Sequence, residues 1–139
     1  KNKNQKIKEI LYSYIEEDSK IYKKIKENSK NKEKQQIYLE KSIQMHNEIC
    51  NYMADLITFS FFIAKYGNKH LISDSGIVAI LSLSSFKGAK LNILINIKYL
   101  DENGKNKYLP LMKILDKEEK ELEKKVEIIY NYVVKQIGG

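Results

Sequence analysis

Apolar residues in the first third of the chain recur at helical spacing. Between Lys6 and Lys26, Ile7, Leu11, Tyr14, Ile21 and Ile25 share a face, with Ile10, Ile15 and Tyr22 beside them and lysines opposite. The pattern predicts a first helix, supported by the i, i+4 pair of Glu16 and Lys20. It fades at Asn28-Ser29-Lys30-Asn31-Lys32, so residues 28–34 are expected as a polar loop and residues 1–5 as a frayed end.

The second helix carries the strongest periodicity. Leu39, Ile43, His46, Cys50, Met53, Ile57, Ser60, Ala64 and Gly67 follow alternating steps of four and three, as the seam of a bundle does. Ile49, Tyr52, Leu56, Phe59, Ile63 and Tyr66 form a second stripe with the same rhythm. Two adjacent stripes make a face wide enough to need cover from more than one side. The segment Met53–Ala64 is therefore expected at the centre, with Gly67-Asn68 as a left-handed cap.

Beyond it, Ser73 or Asp74 is placed to cap a short third helix, Ile77 to Phe86, ending near Gly88. From Leu91 the period changes. Leu91, Ile93, Ile95, Ile97 and Tyr99 alternate with Asn92, Leu94, Asn96, Lys98 and Leu100, which reads as a strand. Asn103-Gly104 suits a tight reversal, and Lys107–Lys113 would return as an edge strand containing Pro110. The last helix follows from Leu115, Leu122, Val126, Ile129 and Val133 on one face, with acids early and Lys135 late. The expected fold is mainly α: one domain over 1–139, a bundle of three to four helices with a β-hairpin inserted at 91–114. The alternative is an all-α bundle of five to six helices, since Leu91, Leu94, Ile95 and Leu100 also make a helical stripe.

Composition narrows the chemistry. The 139 residues contain 25 lysines and no arginine, against 18 acids, for a formal charge of +7. Without a guanidinium there is no bidentate phosphate clamp and no arginine readout of guanine. The excess sits early: residues 1–41 hold 12 lysines and 7 acids, residues 42–100 hold 5 and 3, and residues 101–139 hold 8 and 8. Abundant Lys, Asn, Ile and Tyr also fit compositional drift in an AT-rich genome. The apolar-rich run from Tyr52 to Ala64 is shorter than the ~20 residues of a membrane helix, so no transmembrane segment is expected. A first residue other than Met reads as a trimmed start. The compartment stays open, with the cytoplasm favoured.

Candidate sites are sparse. His46 and Cys50 are one turn apart, with His70 and Asp74 further on, but a zinc site needs three or four tightly spaced ligands, and both fall on the apolar seam. No metal or cofactor is expected. The six glycines are scattered rather than gathered into a phosphate loop. Asp116, Glu118, Glu119 and Glu121 read as a solvated helix face, and no catalytic constellation emerges. A helix-turn-helix reading of residues 77–92 fails because strand-like alternation begins before a reading helix is complete.

These observations predict a non-enzymatic protein–protein interaction or assembly module, with another protein or a second copy of the chain as partner. Its interface would be the strand residues Leu91, Ile93, Ile95, Ile97 and Tyr99. The alternative is a sequence-tolerant nucleic-acid binder, using Lys20, Lys23, Lys24, Lys26, Lys30, Lys32 and Lys34 on phosphates and Tyr22 as a stacking platform. A small immunity-type or membrane-surface protein is a third class.

Overall fold

The structure, a computed structural model, describes residues 3–138, with side chains from residue 5. Lys1, Asn2 and Gly139 lie outside the described residues. Four helices follow one another: α1 (Lys3–Glu27), α2 (Lys32–Tyr66), α3 (Ile72–Lys98) and α4 (Glu102–Gly138), with a single 3-10 turn, Lys69–Leu71, before α3. Residues 3–5, expected to fray, are already helical in α1.

Cross-helix contacts fix the topology. Tyr14 meets Glu48 and Ile25 meets Gln35, so α1 and α2 run antiparallel. Ser42 meets Asn96 while Cys50 meets Phe86, so α2 and α3 are antiparallel too. Lys90 meets Asp116 and Lys87 meets Glu123, which sets α4 against α3 in the same sense. Glu40 meets Lys107 and Thr58 meets Lys125, so α2 and α4 run parallel. The result is an up-down-up-down bundle in which α2, α3 and α4 pack together and α1 lies chiefly on α2.

The seam of α2 is buried as its spacing predicts, from Leu39 through Ile43, His46, Cys50, Met53, Ile57 and Ser60 to Ala64. The second stripe is less covered: Ile49, Tyr52 and Leu56 are half-buried, while Phe59 and Tyr66 are exposed. On α4 the predicted face, Leu115, Leu122, Val126, Ile129 and Val133, is buried throughout. Among the described side chains of α1 only Ile21 is buried, because α1 packs chiefly on α2.

The β-hairpin is absent. Residues 91–98 continue α3, and residues 102–114 open α4. The isoleucine run satisfies two periods at once, and packing selects the longer one: Phe86, Ala89 and Ile93 are buried and Ile97 half-buried, at steps of three and four. The supposed interface is thereby divided. Ile93 is core and Ile97 packs against it, while Leu91, Ile95 and Tyr99 face outward. Asn103-Gly104 belongs to the first turn of α4 rather than to a reversal. Asp101 caps that turn, its Oδ1 accepting from the Gly104 N–H at 2.7 Å. A Cβ at Gly104 would crowd the Leu100 Cβ at 3.0 Å. Pro110 lies inside α4, where it removes one helical N–H without stopping the helix.

Other boundaries shift for local reasons. The polar loop is only residues 28–31, because the Asn31 side chain accepts from Lys34 N at 3.2 Å and starts α2 early, so Lys32 and Lys34 are helical. Gly67 is extended (φ −84, ψ −170) rather than left-handed. Its lack of a side chain still matters, since a Cβ would sit 2.5 Å from the Ile63 carbonyl oxygen. Ser73 and Asp74 lie within α3, and Gly88 does not end it. One helical run, Lys69–Lys98, is long and apolar enough to cross a membrane by length and composition, which the Tyr52–Ala64 run is not. Ala79, Phe86 and Ile93 of this run are core residues, but only 28% of its apolar window is buried in the bundle, and Ile77, Leu81 and Leu91 are exposed.

Candidate active site

Three helices converge on a cleft of about 210 Å³. From α1 come Asp18, Tyr22 and Ile25, at helical steps of four and three. From α2 come Leu39, Ser42 and His46, and from the end of α3 come Asn92, Ile95, Asn96 and Tyr99. Ser42 with His46, and Asn92 with Asn96, are i, i+4 neighbours, so each pair projects from one helix face. Tyr22, Tyr99 and the aliphatic side chains supply apolar walls; the remaining residues supply polar groups.

The hydrogen bonds assign the imidazole of His46. Its Nδ1 is 2.8 Å from the Ser42 carbonyl oxygen, which can only accept, so Nδ1 carries a proton. The Ser42 hydroxyl lies 3.3 Å from the same nitrogen. In the neutral ring Nε2 is therefore an acceptor, and it faces the Asp18 Oδ1 at 3.8 Å. His46 is nearly enclosed, its side chain 7% exposed, whereas that of Asp18 is 53% exposed. With a neutral ring, Nε2 and Asp18 Oδ1 are two acceptors facing each other; with a protonated ring, Nε2 donates to Asp18.

Elsewhere the polar groups are matched. Lys90, its side chain 14% exposed, reaches Asp116 at 2.6 Å and also Glu119; Lys87 reaches Glu123 at 2.5 Å. Burial pulls the Lys90 ammonium down, but its bonds to Asp116 and Glu119 outweigh that and raise it overall. The expected solvated acid face is thus partly an inter-helix clamp. Glu118, beside it, is raised by burial first and by Glu121 and Asp55 next. Tyr14 is raised by burial and by its bond to Glu48. A larger trough of about 340 Å³ between α1 and Leu56 is apolar, with Lys8 as the single charge among its lining residues.

The other sequence-predicted residues scatter. Lys20 pairs with Glu16 at 3.8 Å, Lys24 with Glu27 at 2.9 Å, and Lys26 lies over the Tyr22 ring. Lys23, Lys30, Lys32 and Lys34 are exposed along the end of α1, the turn and the start of α2. His70 is exposed in the 3-10 turn, and Asp74 lines a different cleft with Leu56 and Val78. Among the described residues no three or more His, Cys, Asp or Glu side chains gather as metal ligands. Sequence reasoning missed Asp18, Ser42, Asn92 and Asn96. The available signal was polar residues at i, i+4 on otherwise apolar helices.

Residues 1–113 match the model of the formiminotransferase-cyclodeaminase family. The chain belongs to that family. Among solved structures, formiminotetrahydrofolate cyclodeaminase from Thermotoga maritima shares its fold, with a TM-score of 0.74 and 25% identity. That similarity covers 97% of this chain and 66% of the Thermotoga chain. A search of curated proteins finds no match. Membership in a family of folate-metabolism enzymes overturns the expectation of a non-enzymatic assembly module, and nothing in the comparisons supports nucleic acid as a partner. The expectation relied on a sheet edge that does not exist, since residues 91–98 and 102–114 are helical.

Proposed function

We propose that this chain is a cyclodeaminase-type catalytic domain whose cleft at His46 takes the formimino-bearing head of a tetrahydrofolate. The observation that carries the reading is the pair His46 Nε2 and Asp18 Oδ1, 3.8 Å apart and facing one another between apolar walls. Family membership supplies the substrate class, and the solved relative named above is a formiminotetrahydrofolate cyclodeaminase.

The chemistry asks for one proton to move. A protonated formimino group, N–CH=NH₂⁺, is attacked at carbon by a second folate nitrogen that still bears its hydrogen. That N–H proton must leave and the departing NH₂ must gain one, so that ammonia departs and a cyclic N–CH=N⁺ remains. A single base that becomes an acid performs both transfers. His46 Nε2 is suited to this because its other nitrogen is already committed to Ser42, and Asp18 would stabilise the imidazolium formed in between. The cationic formimino group would also meet the Asp18 carboxylate directly. At about 210 Å³ the cleft is smaller than the ~300–1,000 Å³ of typical small-molecule sites, so it holds the reacting head and leaves the folate tail outside.

Ammonia release from formiminotetrahydrofolate by the purified chain tests the reading. His46→Ala is expected to lower kcat by about 10²–10⁴-fold with the helical content intact, the usual range for losing a general acid–base. Wild-type turnover by His46→Ala, or no binding of formiminotetrahydrofolate by calorimetry, would overturn it.

A further inference from the structure

The side chain of Asn96 has unusually little freedom. One amide proton goes to the Asn92 carbonyl oxygen at 2.7 Å, and the other to the Ser42 Oγ at 2.9 Å. A backbone carbonyl only accepts, so the atom on Asn92 is the nitrogen and the carboxamide cannot be flipped. Both amide hydrogens are then used. Oδ1 makes no hydrogen bond among the described residues, and Asn96 lines the cleft. Since no buried side-chain oxygen among the described residues lacks a partner, Oδ1 is open to solvent.

We infer that Asn96 is a specificity-determining residue, whose fixed carbonyl acceptor serves the cleft that Asn96 lines together with His46 and Asp18, so that the cleft selects heads rich in N–H donors. Three acceptor-bearing residues lining one small cleft favour a planar cation such as an amidinium and oppose a carbonyl-bearing analogue, which would set oxygen against oxygen. The Ser42 hydroxyl couples the two halves: it accepts from Asn96 and sits against His46 Nδ1, so Asn96 also helps hold the imidazole in place. The inference deepens the cyclodeaminase reading and rests on it for the substrate. The acceptor geometry itself is testable without any turnover.

Formamidinium and formamide are the probes, a donor-only cation and its carbonyl analogue, titrated into the isotope-labelled chain by NMR. The wild type should prefer formamidinium, and the preference should fall about tenfold in both Asn96→Ala and the similarly branched Asn96→Leu. Asp18 remains in these variants, so simple charge attraction cannot explain a loss. In the wild type the Asn96 side-chain amide protons should exchange slowly, and the carboxamide signals should move when formamidinium is added. An unmoved Asn96 signal, or a preference retained in folded variants, overturns the inference even if one variant fails to fold. In the turnover assay KM for formiminotetrahydrofolate should rise in these variants, while binding of formyltetrahydrofolate stays constant. If the formamidinium preference depends on Asn96 but no ammonia is released by the wild type, the cyclodeaminase reading fails and the acceptor site stands.

Discussion

Lys90 and Asn96 lie six residues apart on α3, yet the clusters they anchor are built in opposite ways. Lys90 turns to α4, where its ammonium meets two carboxylates and Lys87 meets a third. Asn96 gives one donor to Ser42 on α2 and the other to the Asn92 carbonyl of its own helix, which leaves its carboxamide oxygen as an acceptor. The first cluster is complete without a ligand. The second pairs His46 Nε2 with the Asp18 carboxylate in a cleft that Asn96 also lines, and on the reading proposed above a ligand that brings donors completes it. Complementary charges between helices mark an architectural tie, whereas like-natured acceptors held close together mark a place for a ligand.

Breaking one cluster should therefore leave the other's property intact. The largest effect belongs to His46→Ala: a fall in ammonia release of about 10²–10⁴-fold, accompanied by a small change in the urea midpoint. Lys90→Met should do the reverse. It leaves Asp116 and Glu119 facing each other without their shared cation, while Lys87 still reaches Glu119 at 3.7 Å. The cost should be about 1–3 kcal/mol in urea unfolding, between the values for exposed and buried pairs, with kcat per folded molecule unchanged. A Lys90→Met variant that lost turnover while remaining folded would show that the clamp also shapes the cleft.

Acidity separates the clusters less sharply. Glu123 is held below the ordinary carboxylate value of 4.5 by the hydrogen bond from Lys87 and by its charge. A depressed carboxylate stabilises the fold above its unfolded value, and that contribution disappears as pH falls below 4.5 through the lower folded value. Lys87, raised above 10.5 by its bond to Glu123, has the opposite sign: its contribution holds below 10.5 and disappears as pH climbs through the raised folded value. Thermal melts should therefore show the α3–α4 tie intact between about pH 5 and 10 and weaker outside it. Glu123→Gln should flatten the acid limb, and an unchanged limb would assign it to other carboxylates.

The helices were legible wherever one period dominated. On α2 the spacing selects Leu39 through Ala64 of the buried seam but not Ser42 or Met45, and on the second half of α4 it selects the whole buried face. Residues 91–99 were not legible, because isoleucines at every second position serve a strand, while Phe86, Ala89, Ile93 and Ile97 serve a helix equally well. Only contact with α2 and α4 decides between them. The cleft was hidden for a related reason. His46 looked like a seam residue, and it is one, but its Nε2 escapes the core by facing α1. Asn92 and Asn96 looked like the wet side of a strand, so their pairing on one helix face disappeared together with the helix. Asp18 was one acid among seven in a lysine-rich segment, and only the antiparallel register of α1 on α2 places it opposite His46.

Cys50 gives the smallest effect and sharpens the comparison further, because it lies in the core between the two clusters. The thiol is fully buried and donates to the Phe86 carbonyl oxygen at 3.7 Å. Burial pushes it up to about 12, with Glu118 adding to the rise and Lys90 opposing it. At neutral pH it is an uncharged, small, nearly apolar group, so the ion cluster around Lys90 has no charge on it to feel. Cys50→Ala should cost about 1 kcal/mol from lost packing and a weak hydrogen bond. Combined with Lys90→Met, the two losses should add to within about 0.5 kcal/mol in a double-mutant cycle by urea unfolding. A coupling well beyond that would mean that the clamp on α4 and the α2–α3 seam yield together. Polar tie and apolar core would then have to be treated as one cooperative element, set against a cleft that borders both.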